Sequence, residues 1–155
     1  MPVVADRLRA AGFPLPAAPK ALGIYVPAVR AGWLVTTSGQ LPLVDGSLVT
    51  TGHVGDTVTP ELAARCAAVA VLNALAAAST VCDLDEVVKV VRLGGFVASA
   101  TGFTGQPAVL NGASEVLVAA FGEAGRHARC AVGVAELPLG APVEVEVTLL
   151  LRQAT

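Results

Sequence analysis

The sequence predicts an α+β domain in which a mixed β-sheet carries two helices on one face. A chain of 155 residues has the length of one domain, so we expect a single domain over residues 1–155. Its predicted elements run β-β-β-α-β-α-β-β, an order that favours both helices on the same sheet face. The last predicted strand, Val143–Leu151, alternates apolar with polar side chains. The other sheet face would then be free to pack against neighbouring subunits.

The N-terminal residues 1–22 are rich in Ala and Pro. We expect a short helix over Val4–Ala11, followed by an extended arm that lies on the domain. Charged residues stand where a signal peptide would need its apolar core, namely Asp6, Arg7 and Arg9. We therefore expect no targeting segment.

Three strands are predicted before the first long helix, at about Ile24–Val29, Leu34–Ser38 and Ser47–Thr50. The first two are joined at Ala31-Gly32, a short turn of hairpin type. Pro42 and the pair Asp45-Gly46 form a second turn signal, which precedes the third strand.

The two helices carry start and stop signals. Thr59 is a favoured N-cap residue and Pro60 a favoured first helical residue, and Ala and Leu then continue to about Ala78. Pro107 begins the second helix, whose apolar residues keep a helical period as far as Phe121. A glycine follows, as is common after the last helical residue.

Three further strand signals complete the pattern. Glu86–Val97 is rich in Val, and its Gly94-Gly95 pair indicates a bulge or a close approach of another segment. Arg129–Ala135 and Val143–Leu151 are the last two predicted strands. Residues 136–142 between them hold two Pro and one Gly, which is typical of a loop.

The composition is 54% hydrophobic and only 14% charged, whereas soluble domains average about 25% charged residues. The charge-free apolar stretch Cys66–Cys82 is shorter than the roughly 18 apolar residues of a membrane span. The surplus of apolar residues is therefore assigned to a core and a subunit interface. We expect a soluble homo-oligomer with no membrane segment.

Charge and cysteine content exclude other classes. The net charge is −2, the pI is about 5.6, and the basic residues are scattered, so nucleic-acid binding is not expected. An odd number of cysteines without CxxC spacing fits buried thiols in a reducing cytoplasm, at Cys66, Cys82 and Cys130.

Common catalytic motifs are absent: the chain has no P-loop, no GxGxxG and no GxSxG. His53 and His127 stand far apart without further ligands at zinc spacing, so neither a metal nor a cofactor is expected. His127 could belong to a hydrolytic dyad, but no Ser stands beside it in the sequence. The commoner alternative is a polar residue at a helix-to-strand junction.

Two charged residues have a structural and a functional interpretation. Arg129 opens an apolar strand; it is either a strand-end residue that reaches solvent or a glutamate, or a guanidinium that grips a ligand carboxylate with two hydrogen bonds. Glu144 is either a solvated residue of an amphipathic strand or, together with Glu146, part of a pocket in which a carboxylate handles a water molecule.

Five sequence features stand in order along the chain: Gly23–Pro27 (GIYVP), Thr37–Pro42 (TSGQLP), Asn111, Ala128–Pro138 (ARCAVGVAELP) and Val143–Glu146 (VEVE). Together they resemble the YjgF/RidA (Rid) family, also known under the older label endoribonuclease L-PSP. The resemblance covers about residues 23–152. Its most specific parts are the SGQLP and AR…LP blocks, which are informative as a pair.

This resemblance implies a bacterial chorismate mutase-like fold and a homotrimer with ligand sites in the clefts between subunits. The activity it implies is hydrolysis of reactive enamines and imines, such as 2-aminoacrylate and 2-iminobutanoate, to 2-oxo acids and ammonia. Some members of the family are described as ribonucleases, which the acidic pI does not favour. Chorismate mutase activity would rest on fold alone.

The resemblance also implies residue roles. It makes Arg129 the ligand of the substrate carboxylate and Glu144 the carboxylate that holds the attacking water. The ligand would be covered by an aromatic ring, lined by a loop and contacted by an amide, which are contributed by Tyr25, by Ser38 and Gly39, and by Asn111.

Two function hypotheses follow. The first is a cytoplasmic, cofactor-free homotrimer that deaminates small imines or enamines bearing a carboxylate, and the presence of Arg129 and Glu144 at the positions that match the family motifs favours it. The second is a non-catalytic trimer that binds a small carboxylate ligand. Departures from the deaminating pattern favour the second, since His127 replaces the usual Pro and Ala131 replaces a frequent Cys.

Overall fold

A computed structural model describes residues 3–21 and 23–153. It has three α-helices: α1 (Val3–Ala10), α2 (Pro60–Ala78) and α3 (Gln106–Phe121). Its strands are β1 (Ala28–Ala31), β2 (Leu34–Thr37), β3 (Leu43–Val44), β4 (Ser47–Leu48), β5 (Val87–Ala98), β6 (Ala128–Val134) and β7 (Val143–Leu151).

The main sheet has five strands in the order β1-β2-β7-β5-β6. β5 and β6 pair in parallel, and the other neighbours pair antiparallel, so the sheet is mixed. Helices α2 and α3 pack side by side on one face of this sheet. The α+β class predicted from the sequence is confirmed.

The early strands differ from the prediction. The first begins only at Ala28, and residues 24–27 precede it as an exposed segment without regular structure. The predicted strand Ser47–Thr50 is reduced to β4, which pairs with β3 in a separate two-stranded hairpin and does not join the main sheet. The predicted turn at Asp45-Gly46 closes this hairpin, with φ of 50° and 81°. Positive φ at both turn residues is the geometry of a tight two-residue hairpin.

The start signals of α2 act as predicted. The Thr59 hydroxyl accepts a hydrogen bond from the backbone N–H of Leu62 at 3.2 Å, and Pro60 is the first helical residue. In the middle of α2, the buried Asn73 donates to the carbonyl oxygens of Leu41 and Leu43, each at 3.0 Å. This amide therefore ties the small hairpin to the helix.

α2 has the length and mean hydropathy, 1.5, of a membrane span, but 67% of its most apolar 18-residue stretch is buried within the domain. Its buried side chains contact α3 and β7 as part of one apolar core. A core helix meets the same test of length and composition.

The predicted N-terminal arm is only partly extended. α1 lies one residue earlier than predicted, and its buried Val4 and Leu8 pack on the core. The carboxylate of Asp85 accepts hydrogen bonds from the first two described backbone N–H groups, Val3 and Val4, at 2.9 and 2.8 Å. These bonds lower the pKa of the Asp85 carboxyl below its usual value. Of the arm, Met1, Pro2 and Leu22 lie outside the described residues.

Small residues set the distance between α2 and α3. The Cα of Gly112 on α3 lies directly against the backbone of Ala64 on α2, and a β-carbon at Gly112 would overlap the Ala64 carbonyl. Gly95 is covered in the same way by the side chain of Leu110, so α3 also sits close to β5. The Gly94-Gly95 pair thus marks a close approach, as the sequence suggested, while the bulges of β5 occur earlier, between Val87 and Arg92.

We expect Gly112→Ala to lower the free energy of unfolding. Alanine favours a helix over glycine by about 1 kcal/mol, but overpacking costs about 1–3 kcal/mol, and the contact with the rigid Ala64 backbone favours the upper part of that range, so the net loss is up to about 2 kcal/mol. Urea unfolding at one fixed protein concentration measures it. The control is Glu115→Ala, an exposed change on the same helix. A Gly112→Ala variant as stable as the wild type would contradict this account.

Candidate functional site

The candidate residues fall into two groups on opposite faces of the sheet. Arg129 pairs in register with Leu93, which is buried beneath the helices, so Arg129 points to the helix-covered face. Glu144 lies between the buried Val143 and Val145 and therefore points to the outward face. Within one chain these two charged groups do not meet.

The first group is held together by the guanidinium of Arg129. Its Nη1 donates to Asn111 Oδ1 at 2.9 Å and to Ser114 Oγ at 3.1 Å, and its Nη2 donates to the carbonyl oxygen of Pro107 at 3.1 Å. All three acceptors lie on one side of α3. A guanidinium has five N–H donors. Three of them bond to described residues, so two remain for a ligand. Among the described residues, Arg129 therefore bonds to helix α3 and not to a glutamate.

His127 lies next to this network. Its Nε2 is 3.0 Å from Ser114 Oγ, and its Nδ1 is 2.6 Å from the carbonyl oxygen of Gly125. No Ser stands beside His127 in the sequence, but the fold places Ser114 next to it. A short turn after α3, Gly122–Gly125, brings the chain back so that His127 meets a helix residue 13 positions earlier.

These side chains line an open groove of about 450 Å³ between α3 and the start of β6. Ser114 was not singled out from the sequence. It lies one helical turn after Asn111, so the two share a face of the helix, and this spacing was the signal that could have found it. The groove is lined by Asn111, Ser114, Val118, Arg126, His127 and Arg129.

The second group lies on the outward face where β2 ends beside β7. The Glu144 carboxylate lies directly over Gly39, where a β-carbon would overlap it. The backbones of Gln40 and Val145 exchange two hydrogen bonds, of 2.7 and 3.0 Å, and fix this contact. A side chain at position 39 would therefore displace the Glu144 carboxylate from this place.

The other predicted loop residues lie near this end of β2. The Ser38 hydroxyl donates to the carbonyl oxygen of Val26 at 2.6 Å, and its backbone N–H donates to that of Pro27 at 2.8 Å. Ser38 thereby holds the segment that carries Tyr25, whose side chain is half exposed. The structure thus places Gly39 against Glu144, ties Ser38 to the segment that includes Tyr25, and joins Asn111 to Arg129.

The carboxyl group of Glu144 is electrostatically perturbed. Partial burial raises its pKa, and the neighbouring Glu146 carboxylate raises it further. A carboxyl group with a raised pKa exchanges protons closer to neutral pH, which suits general acid–base chemistry.

The outward face also carries apolar side chains that are exposed or half-buried. Leu34 pairs in register with Leu150 and Phe96 pairs with Val132, while Val29 on β1 pairs with Thr36. Over residues 3–21 and 23–153, no three His, Cys, Asp or Glu side chains cluster as metal ligands would.

The fold and its two groups of residues define a YjgF-type domain, and comparison with known proteins agrees. Residues 5–149 match the family model described as "YjgF/chorismate mutase-like, putative endoribonuclease". The chain belongs to this family.

Several relatives span nearly the full chain. It is 45% identical to protein TCP17 of Trypanosoma cruzi over 153 residues, which cover 96% of this chain and 94% of the relative. It is 41% identical to the Agrobacterium tumefaciens protein Atu1372, of unknown function, covering 97% and 93% of the two chains with a TM-score of 0.88. A Shewanella oneidensis protein described as a "putative endoribonuclease" is 34% identical, covers 96% and 99%, and has a TM-score of 0.92.

The raised pKa of Glu144 predicts a pH-dependent stability. Ionising a carboxyl whose folded-state pKa is raised favours the unfolded chain, so its contribution is present in acid and lost as pH rises above the ordinary value of 4.5. We expect the free energy of unfolding of the wild type to fall, relative to Glu144→Gln, between about pH 4.5 and pH 7. Urea unfolding across this range measures the difference. Glu115→Gln, exposed on α3, serves as control, and a constant difference for Glu144→Gln would refute the assignment.

Proposed function

We propose that the protein hydrolyses small reactive enamines and imines that bear a carboxylate, such as 2-aminoacrylate and 2-iminobutanoate, to 2-oxo acids and ammonia. The observation that carries this proposal is Arg129. Its guanidinium is oriented by three protein acceptors beside an open groove and retains two N–H donors. Two donors suffice for a bidentate hydrogen-bonded ion pair with a carboxylate.

The reaction asks little of the protein beyond orientation and proton transfer. An imine carbon is already electrophilic, so holding the substrate carboxylate on Arg129 fixes the carbon for attack. Glu144 takes a proton from the attacking water and returns one to the departing nitrogen. A carboxyl group with a raised pKa can do both near neutral pH, and no cofactor is required.

A site that contains both groups has to be built from two subunits, because Arg129 and Glu144 lie on opposite faces of the sheet in one chain. We propose a homotrimer in which the outward face of one subunit, with Glu144, meets the groove edge of the next, with Arg129. The exposed and half-buried apolar side chains on the outward face support such an interface. The described cysteines are free thiols, which fits a cytoplasmic enzyme.

A second candidate function is a trimer that binds a carboxylate ligand without turnover. Two positions favour it, since His127 stands where the family usually has Pro, and Ala131 where deaminating members often have Cys. Both candidates need Arg129, but only the enzyme needs Glu144 as a proton carrier. Turnover by the Glu144→Gln variant therefore separates them.

The experiment supplies 2-imino acids formed in situ by an amino-acid oxidase and follows the loss of semicarbazone formation. We expect Glu144→Gln to slow hydrolysis about 10²–10⁴-fold with little change in affinity for 2-oxobutyrate. Arg129→Lys should weaken 2-oxobutyrate binding about 10- to 100-fold, because lysine keeps the charge but loses the two-pronged geometry.

Each variant has a matched control. Glu146→Gln changes the next outward carboxylate, about 6.5 Å along β7, and should reduce the rate less than Glu144→Gln. Arg126→Lys changes an exposed arginine that lines the same groove and pairs with Glu123. Wild-type hydrolysis no faster than the spontaneous reaction would favour the binding protein. Unchanged ligand binding by Arg129→Lys would exclude both candidates.

Mixed oligomers test the two-subunit site. Arg129→Lys and Glu144→Gln chains, each strongly impaired alone when the substrate concentration is far below KM, are unfolded together, refolded at equal concentration and assayed under that condition. In a cyclic trimer about a quarter of the interfaces then combine an intact Arg129 with an intact Glu144, so we expect about a quarter of the wild-type activity. Light scattering should give about three times the 15.5 kDa chain mass. A stable monomer, or no recovered activity in mixed trimers, would refute the shared site.

A further inference from the structure

We propose that Ser114 and His127 form a nucleophile–base pair that cleaves small carboxylic esters in the groove beside α3. In the proposed imine hydrolysis Ser114 only orients Arg129, and His127 has no assigned role. The pair lies in the groove that also holds Arg129 and Asn111, and all four side chains are joined by hydrogen bonds.

The protonation state of His127 follows from its partners. The carbonyl oxygen of Gly125 can only accept a hydrogen bond, so the 2.6 Å contact requires the proton on Nδ1. In the neutral ring Nε2 then has a free lone pair, and the Ser114 hydroxyl donates to it at 3.0 Å. This is the arrangement of an activated serine, in which a third group orients the base; here a backbone carbonyl takes the place of the usual carboxylate.

Arg129 adds a second activating contact. Its Nη1 donates to Ser114 Oγ at 3.1 Å, so the oxygen that loses a proton to His127 faces a permanent positive charge. Such a charge stabilises the alkoxide form relative to the neutral hydroxyl. Ser114 therefore has both a proton acceptor and an anion-stabilising donor within hydrogen-bond distance.

Asn111 provides a donor for the developing oxyanion. Because a guanidinium can only donate, the Asn111 atom that faces Arg129 has to be the amide oxygen. The amide Nδ2 is thereby turned away from Arg129, and it makes no hydrogen bond within the described part of the chain. Asn111 lies one helical turn before Ser114 and lines the same groove, so we assign its Nδ2 as a hydrogen-bond donor to the oxyanion of the tetrahedral intermediate.

The reaction needs only water as co-reactant. Ser114 Oγ bonds to the ester carbonyl carbon as its proton passes to His127 Nε2. The carbon–oxygen bond to the leaving group then breaks, and the alkoxide takes the proton from Nε2 and departs as an alcohol. Water attacks the acyl-serine with His127 as base, and Ser114 Oγ recovers its proton as the acid is released. Ester and water thus become acid and alcohol.

The same hydrogen bonds could merely fasten the turn at Gly122–Gly125 to α3, so the test measures reactivity. The full-length protein is treated with a fluorophosphonate, which forms a phosphorus–oxygen bond to an activated serine with loss of fluoride. We expect one adduct per chain, mapped to Ser114 by peptide mass, and none on the exposed Ser47 in the same digest. Absence of the Ser114 adduct, or equal modification of Ser47, would overturn the proposal.

Variants then separate catalysis from structure. His127→Gln retains a polar side chain, and we expect it to slow labelling about 10²–10⁴-fold, the usual contribution of a general base. p-Nitrophenyl acetate should give a burst of about one p-nitrophenolate per wild-type chain, as expected for a covalent acyl intermediate, and no burst with Ser114→Ala. Labelling of His127→Gln at the wild-type rate would overturn the proposal, and the labelling of unmodified wild type decides it if either variant fails to fold.

Discussion

The close contact between α2 and α3 is the constraint on which the rest of the structure depends. Gly112 lies against the backbone of Ala64, and the alanine-rich surface of α2 lets both helices fit side by side over one face of a five-stranded sheet. Because protein interiors are closely packed, an added methyl group at Gly112 would force the two helices apart. The contact also fixes where α3 crosses β6, and thereby places Asn111 and Ser114 over Arg129.

The two faces of the sheet carry candidate residues of opposite charge. The helix-covered face and its edge hold the cationic group, around Arg129, while the outward face holds the carboxylates Glu144 and Glu146. Separation within a chain keeps the two groups from neutralising each other as an internal ion pair. Burial of Glu144 without a cationic partner in its own chain is what raises its pKa. The proposed trimer would unite the groups only where a ligand can bind.

In the two proposed reactions, the network at α3 gives Arg129 and Ser114 compatible roles. For an imine that carries a carboxylate, the bond to Ser114 orients the guanidinium. For an ester, the same bond activates the hydroxyl. Because His127 accepts from Ser114 and donates to Gly125, a chain of hydrogen bonds runs from the guanidinium to the backbone of the turn. His127 thus places an imidazole next to the Ser114 hydroxyl in the groove.

The sequence by itself determined the features that depend on neighbouring residues along the chain. Thr59 and Pro60 start α2, Asp45-Gly46 closes a tight turn, and the alternation in Val143–Leu151 assigns Glu144 to the face away from the core. Motif resemblance also selected Arg129 as a site residue. These signals act over a few residues, through caps, backbone dihedral angles and side-chain periodicity.

Only the tertiary structure decided which distant residues meet. In the structure β4 lies outside the main sheet. The tight turn at residues 45–46 pairs it with β3, and Asn73 holds this hairpin on α2. The tertiary structure brought Ser114 to His127 and Arg129, and it placed Arg129 and Glu144 on opposite faces. No local pattern encodes such pairings, because they follow from how α3 packs across β5 and β6, which is set by side-chain volumes at Gly95 and Gly112.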